Sequence, residues 1–286
     1  MPTDTDAGRD RALRAVERSP QAVAAHDKDA WLAIFAGLSA IEDPVGSRPH
    51  VAGVFDARSA RRGDGALSRF YDTFIAPNEI AFHVDRDIVC ADHVVRDLDI
   101  EITMAPRVVV RVPMHLVYEL GEEDGELVIC RLAAHWELVP MVVRLVSRGP
   151  RAWPVGVALG RRMLANLGPV GALGFSSGAR SVGRAGRDAV ARFAEAATRG
   201  DHAVLASLLT GTCAGIEAPY GEPPLTPSEL ARGPLRRVSV GKLLVSGYAA
   251  SASVEIEDDA GVHGGVGIFE FDRRSVLMER VRLYWD

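Results

Sequence analysis

The six residues Ile-Glu-Asp-Pro-Val-Gly at 41–46 return as Ile-Glu-Ala-Pro-Tyr-Gly at 216–221. In each half the turn follows a helix-like stretch and precedes strand-like sequence that ends in an aromatic strand, "AAHWELV" with Trp136 and "VRLYWD" with Trp285. A landmark that recurs in this order points to two copies of one fold, and 286 residues suffice for two domains of ordinary size. The copies have diverged: Asp43 lies 93 positions before Trp136 and Ala218 only 67 before Trp285, a shortfall of 26 residues. That shortfall predicts a smaller or filled interior in the second copy.

Composition excludes several classes. Apolar residues at 48% and charged residues at 25% give a chain that can bury a core. A net charge of -5 supplies no broad positive field for a nucleic-acid backbone, although "ARSARRGDG" at Ala57 to Gly65 is locally basic. Cys90, Cys130 and Cys213 are odd in number and lack ligand spacing, which predicts reduced thiols, no metal site and a cytoplasmic location. The start, "MPTDTDAGRDR", does not read as a secretory signal. The most apolar stretch, Met141 to Gly186, is interrupted by Arg144, Arg148, Arg151, Arg161 and Arg162, so a spanning helix is not expected and a membrane is not an expected partner.

Periodicity supplies the elements. Arg9 to Ala36 reads as two consecutive helices broken at His26–Asp29, with Ser19 as an N-cap ahead of Pro20. "ALSRFYDTFI" reads as a third helix ended by Pro77. Leu98, Ile100 and Ile102 then alternate with acids, as in a strand with one wet face. From Val108 to Leu120 the even positions form one apolar row, with Arg111, His115 and Glu119 on the other face, and "GEEDG" at 121–125 is a hairpin turn by composition. After an apolar linker the order restarts, with a helix broken near Gly200 and strands joined by turns at Asp258–Gly261 and Asp272–Arg274. The fold class is α+β, as two tandem domains, each of helices packed on an antiparallel sheet. The expected division is a disordered tail at 1–8, a first domain at 9–140, an apolar helical linker at 141–184 and a degenerate second domain at 185–286.

The order helix, helix, "EDPVG", helix with "FY", long strands and "AAHW" resembles the ketosteroid isomerase family, a SnoaL-like branch of the nuclear transport factor 2-like superfamily. The resemblance covers about residues 10–140 well and 185–286 more weakly. It implies that each domain is cone-shaped with a curved sheet, and a conical pocket in which the Asp of EDPxG, here Asp43, shuttles a proton within a steroid-like or polyketide-like ketone, without a cofactor or metal. The pocket would hold an apolar small molecule, lined on this reading by Phe35, Phe70, Val112, Met114, Leu116 and Trp136. The family's oxyanion donors, a tyrosine and an aspartic acid, fall on Ser19 and Met114, which cannot act as those donors. Tyr71, Tyr118 and the Trp136 indole are the substitutes the sequence offers. The resemblance also implies pairing of two cones by their outer sheet faces, within the chain or in a homodimer.

Rival readings stand beside these. Asp43 is either a base or an Asx-type turn acid before proline, and Ala218 in the second copy shows that the turn can be written without a carboxylate. Glu42 and Glu217, kept in both copies, suggest a structural ion pair. Tyr71, Tyr118 and Trp136 are otherwise core aromatics. "GVHGGVG" at 261–267 lacks a following helix and GK[ST], so a glycine-rich hairpin is expected rather than a phosphate loop. The acids around Asp87 lack the calcium-loop register, which predicts a plain hairpin. The linker helix "PVGVALGRRMLANLG" is a bridge between domains, a plug in a neighbouring cone or a membrane anchor, and the bridge is the favoured reading. Functionally, a non-catalytic binding protein and an epoxide hydrolase or cyclase are the alternatives to an isomerase.

Overall fold

The computed structural model describes residues 6–53, 65–213, 215–233 and 235–286. The basic stretch at Ala57 to Gly65 therefore lies, apart from Gly65, outside the described residues. The first half contains α1 (Asp6–Ala24), α2 (Lys28–Ala33), β1 (Phe35–Glu42), β2 (His50–Ala52), α3 (Gly65–Phe70) with a π turn at Tyr71–Ile75, β3 (Glu79–Cys90), β4 (His93–Ala105), β5 (Val108–Glu123) and β6 (Glu126–His135). Two helices follow, α4 (Leu138–Val146) and α5 (Ala152–Ser176). The second half contains α6 (Gly183–Arg199), α7 (His202–Leu208), β7 (Ile216–Glu217), α8 (Pro227–Arg232), β8 (Arg237–Ser246), β9 (Ala249–Glu257), β10 (Val262–Phe271) and β11 (Met278–Tyr284).

The repeat is visible in sheet order. One sheet runs β2-β1-β6-β5-β4-β3 and the other β7-β11-β10-β9-β8. In each, the short strand carrying the repeated turn pairs in parallel with the tryptophan strand or its neighbour residues, Ile41 with Leu132 and Ile216 with Val281, while the remaining strands form an antiparallel meander. The helices repeat as well. A left-handed residue, His26 at φ 53° or Gly200 at φ 66°, is followed by an aspartate N-cap. Asp27 accepts from the Ala30 N–H at 2.9 Å and Asp201 from the Val204 N–H at 3.0 Å. Both Asp43–Pro44 and Ala218–Pro219 are cis.

Several sequence expectations need correction. Helix α1 begins at Asp6, inside the stretch expected as a tail, and residues 1–5 lie outside the described ones. Ser19 is not an N-cap, because α1 runs through Pro20, whose missing N–H removes one intrahelical bond without ending the helix. The second helix stops at Ala33, and Phe35 opens a strand that forms by pairing with β6 nearly a hundred residues away. The acid-bearing face of β4 is not simply wet: Asp97 is buried, and Lys242 of the second half pairs with it. The segment around Asp87 is a hairpin, as read, but Asp87 holds the buried Arg96 at 2.8 Å. The stretch at 261–267 is, as read, part of a hairpin, with Gly261 before β10 and Val262 to Gly267 within it, paired with β9.

The two sheets meet by their outer faces. Ile88, Val95, Val117 and Ala133 of the first pack with Ala249, Val266, Ile268 and Tyr284 of the second. A buried polar cluster lies in the same contact: His115 Nδ1 is 2.8 Å from Ser251 Oγ, and Ser253 donates to Asp97 at 2.5 Å. Burial lowers the His115 pKa, which suits a neutral ring there. Cys90 Sγ donates to the Trp285 carbonyl at 3.2 Å across the same boundary. The contact is self-complementary in outline: the turn glycine Gly46 (φ +88°) abuts Gly247 (φ +57°) of the β8–β9 hairpin, and its repeat Gly221 (φ +98°) abuts Ala91 of the β3–β4 hairpin. These are the reciprocal contacts of a pseudo-two-fold axis.

Gly247→Val would place a side chain against the Gly46 backbone at a φ that L residues rarely adopt. It is expected to lower stability by at least about 2 kcal/mol in urea unfolding. Gly156→Ala, in open space within α5, is expected to stabilise by about 0.5–1 kcal/mol in the same measurement.

Candidate functional site

The first cone is hollow. A cavity of about 180 Å³ is enclosed by α1, α3 and its π turn, the concave face of β3 to β6, and the inner faces of α4 and α5. A water needs roughly 10–15 Å³ of such space, so the cavity has room for a small organic molecule rather than for one or two waters. Its walls are almost wholly apolar. Phe70, Phe74, Ile100, Val112, Met114, Leu116, Leu132 and Ala134 supply most of the sheet and helix surface.

Asp43 is set into that wall at the end of β1. It is the one carboxylate lining the cavity among the described residues. Desolvation by burial pushes its pKa up to about 6, against the opposing effect of a hydrogen bond from the Trp136 indole, whose Nε1 donates to Oδ1 at 2.5 Å. Glu42, the neighbouring acid, points elsewhere: Arg131 donates to it at 2.8 and 3.0 Å, the structural ion pair expected of the residue kept in both copies.

The remaining polar groups are few. Tyr118 is fully buried on the cavity wall, and burial pushes its pKa up to about 12, with the nearby Arg96 cation drawing it back. Tyr118 and Ser19 both line the cavity, and Ser19 favours the ionised phenol. Arg96 itself is buried and held by Glu17 at 2.6 Å and Asp87 at 2.8 Å, so a fixed positive charge sits behind Tyr118. Asn78 donates to the Phe74 carbonyl at 2.8 Å, and its Oδ1 is buried without a partner.

The structure brings Asp43, Tyr118, Phe70, Val112, Met114, Leu116 and Trp136 onto one cavity. It does not bring Tyr71 or Phe35 there. Tyr71 opens the π turn and packs on Trp31, with ring centroids 5.4 Å apart, and Phe35 sits edge-on to the same indole at 4.8 Å. Tyr71 therefore packs behind Trp31, which lines the cavity, and is not itself among the lining residues. The Trp136 N–H is not free to donate to a ligand, since it is engaged by Asp43. Sequence reasoning missed Asn78 and the contribution of α4 and α5, whose Leu138, Met141, Leu145, Leu159 and Phe175 close the cavity. The spacing of Leu138, Met141 and Leu145 was the available signal, a helical face within a stretch read as linker. The linker is thus not the expected bridge; Phe175 stacks on Phe74 at 5.1 Å and Asn166 donates to Thr73 at 3.1 Å, both on the first cone.

The second cone is filled. Phe193 and Phe269 meet edge to face at 5.4 Å, and Leu205, Ile216 and Met278 are fully buried beside them. Ala218, at the position of Asp43, belongs to that core.

The architecture is two α+β cones joined back to back, one of them hollow and carrying an acid on its cavity wall. No protein-family model and no curated protein sequence matches the chain. Among solved structures, RV0760c from Mycobacterium tuberculosis in complex with estradiol-17beta-hemisuccinate is 24% identical, covering 46% of this chain and 96% of its own, with a TM-score of 0.38. A Delta 5-3-ketosteroid isomerase from Mycobacterium sp. is 26% identical over 45% of this chain and 95% of its own, with a TM-score of 0.37. An LEH-like epoxide hydrolase of M. tuberculosis is 18% identical over 51% of this chain and 97% of its own, with a TM-score of 0.38. Each covers about half of this chain.

Asp43 makes the site a source of instability with a defined pH signature. Its folded pKa lies above 3.8, so the folded protein keeps a proton that the unfolded chain releases, and stability falls as pH rises from 3.8 to about 6. Asp43→Asn is expected to unfold at higher denaturant than wild type at neutral pH, by on the order of 2 kcal/mol. The difference should vanish in acid below 3.8, where both side chains are neutral.

Proposed function

We propose that the first cone is a cofactor-independent isomerase that moves a proton within a hydrophobic, steroid-like or polyketide-like ketone. The observation that supports this is Asp43, a single desolvated carboxylate on the wall of an apolar cavity, with its pKa pushed up to about 6. A base near that value is ionised at neutral pH yet returns a proton readily, as a shuttle requires. Asp43 would take the proton from the carbon between the carbonyl and the double bond and deliver it to the far end of the double bond. Charge then develops on the carbonyl oxygen and needs a donor.

Tyr118 is the group suited to that role. Tyr118 lines the cavity, and the nearby Arg96 cation favours negative charge on its hydroxyl. On this reading a tyrosine on β5 backed by a buried cation takes the part of the missing tyrosine and aspartic acid of the resemblance. Arg96 positions and polarises Tyr118 without entering the cavity lining. The epoxide hydrolase or cyclase reading has less support, because opening an epoxide calls for an acid as well as a base and Asp43 is the single carboxylate lining the cavity among the described residues. The filled second cone has a supporting role rather than a site of its own.

The test is enone formation from a β,γ-unsaturated ketosteroid followed in the ultraviolet, beside fluorescence titration of a bound steroid. Turnover is expected to rise with pH through about 6 and then level off. Asp43→Asn should abolish it while steroid binding persists, and Tyr118→Phe should lower kcat by about 10²–10³. Binding without turnover in the wild type would make the protein an apolar-ligand carrier and refute the isomerase reading.

A further inference from the structure

The helices that close the cavity have a second apolar face, and it is uncovered. On α4 and α5 the inward positions Met141, Leu145, Val155 and Met163 are buried, yet the outward ones are apolar as well. Val143, Val146, Trp153, Val157, Leu164 and Leu173 are 55–73% exposed. Among the described residues, nine of the thirteen exposed large apolar side chains fall between Val139 and Leu173. Scattered exposed apolar residues need no explanation, but a concentration of them on two consecutive helices, the second kinked at Gly168, does.

Charge says what would cover it. Between Glu137 and Asp188 the chain has no acidic residue and eight arginines, at 144, 148, 151, 161, 162, 180, 184 and 187, in a protein whose net charge is -5. Arg144, Arg148, Arg151 and Arg161 are exposed on these helices, and none of them is in an ion pair among the described residues. A second copy of this chain meeting the patch through a two-fold axis would set arginine against arginine, which opposes a homodimer there. Valine, leucine and tryptophan interleaved with unpaired arginine suit a surface that is apolar beneath and anionic on top.

We propose that the outward face of α4 and α5 docks the protein on an anionic lipid bilayer. The apolar side chains enter the headgroup boundary and the arginines meet the lipid phosphates. No helix is long and apolar enough to cross a membrane, so the helices lie in the plane of the surface. The cavity wall and the docking face are then the two sides of the same helices, and an apolar ligand dissolved in the bilayer has the shortest route to Asp43. This reverses the expectation from the sequence that a membrane is not a partner. The docking itself does not depend on the chemistry assigned to Asp43.

The experiment is flotation of the full chain with vesicles of phosphatidylcholine mixed with phosphatidylglycerol, beside vesicles of phosphatidylcholine alone, at low and high salt. Binding to the anionic vesicles is expected, with a blue shift of tryptophan emission that Trp153→Phe removes. The triple variant Arg148→Glu, Arg151→Glu and Arg161→Glu should weaken binding at least about tenfold while keeping the wild-type unfolding curve. Failure of the wild type to float with anionic vesicles, or equal flotation of the triple variant, would overturn the proposal. So would a dimeric mass by light scattering that Trp153→Glu converts to a monomer, since the face would then belong to a second copy. Asp43→Asn should float as wild type does, so loss of isomerase activity and loss of docking are separately read.

Discussion

A sheet bent into a cone has an outer face as well as an inner one, and if the inner face is kept hollow for a ligand it contributes less to holding the domain together. An unfilled apolar cavity of 180 Å³ costs on the order of 4 kcal/mol relative to a packed one. The outer-face contact offsets this. It gives the first sheet a second hydrophobic layer, through Val95, Val117 and Ala133 against Val266, Ile268 and Tyr284. The second cone can support its neighbour because its own interior is closed by Phe193 and Phe269. Duplication followed by filling of one copy thus yields a rigid back wall for the copy that stays open.

The same division explains the fate of the repeated acid. In the first copy Asp43 borders a cavity and has the Trp136 indole to hold it. In the second, a carboxylate at Ala218 would lie among Leu205, Ile216 and Leu283 in a closed core with no ligand to serve. Burying an unused charge there would destabilise the domain by several kcal/mol or force it to stay protonated. The alanine and the closed core therefore go together in the second cone. Asp43, buried at a cost to stability, is a local conflict with good packing of the kind found at functional sites.

Much of this was legible in the sequence for a physical reason: the features that repeat are local. The left-handed residue and aspartate cap before each second helix, the Pro-x-Gly turn, and the period-two rows on β4 and β5 are each set within a few residues. What was not legible depends on partners distant in the chain. Strand β1 exists because Ala40 and Ile41 meet β6, and without that pairing Phe35 and Ala36 read as the end of a helix. Tyr71 and Tyr118 are alike as residues; the π turn rotates the first onto Trp31, and the register of β5 points the second into the cone. Asp97 and His115 alternate as a wet face would, yet they are desolvated by Ser251, Ser253 and Lys242 from the other half of the chain. The acid on the cavity wall was picked out by its motif, whereas which of the two tyrosines lines the cavity only the geometry shows.

The apolar linker shows the limit of periodicity most sharply. A helix with apolar residues nearly all round is ordinarily buried on every side, and on that basis a bridge between domains was the natural expectation. The structure places α5 on one domain only, so half of its apolar surface has no protein partner. Water is a poor solvent for that half, and polar replacements at Val157, Leu164 or Leu173 would leave the cavity lining untouched, because those residues do not line it. The exposed positions are therefore free of any constraint from the cavity and still apolar, and the charges among them are all of one sign. Two independent patterns, of hydropathy and of charge, converge on a face whose chemistry is opposite to that of the acidic protein carrying it.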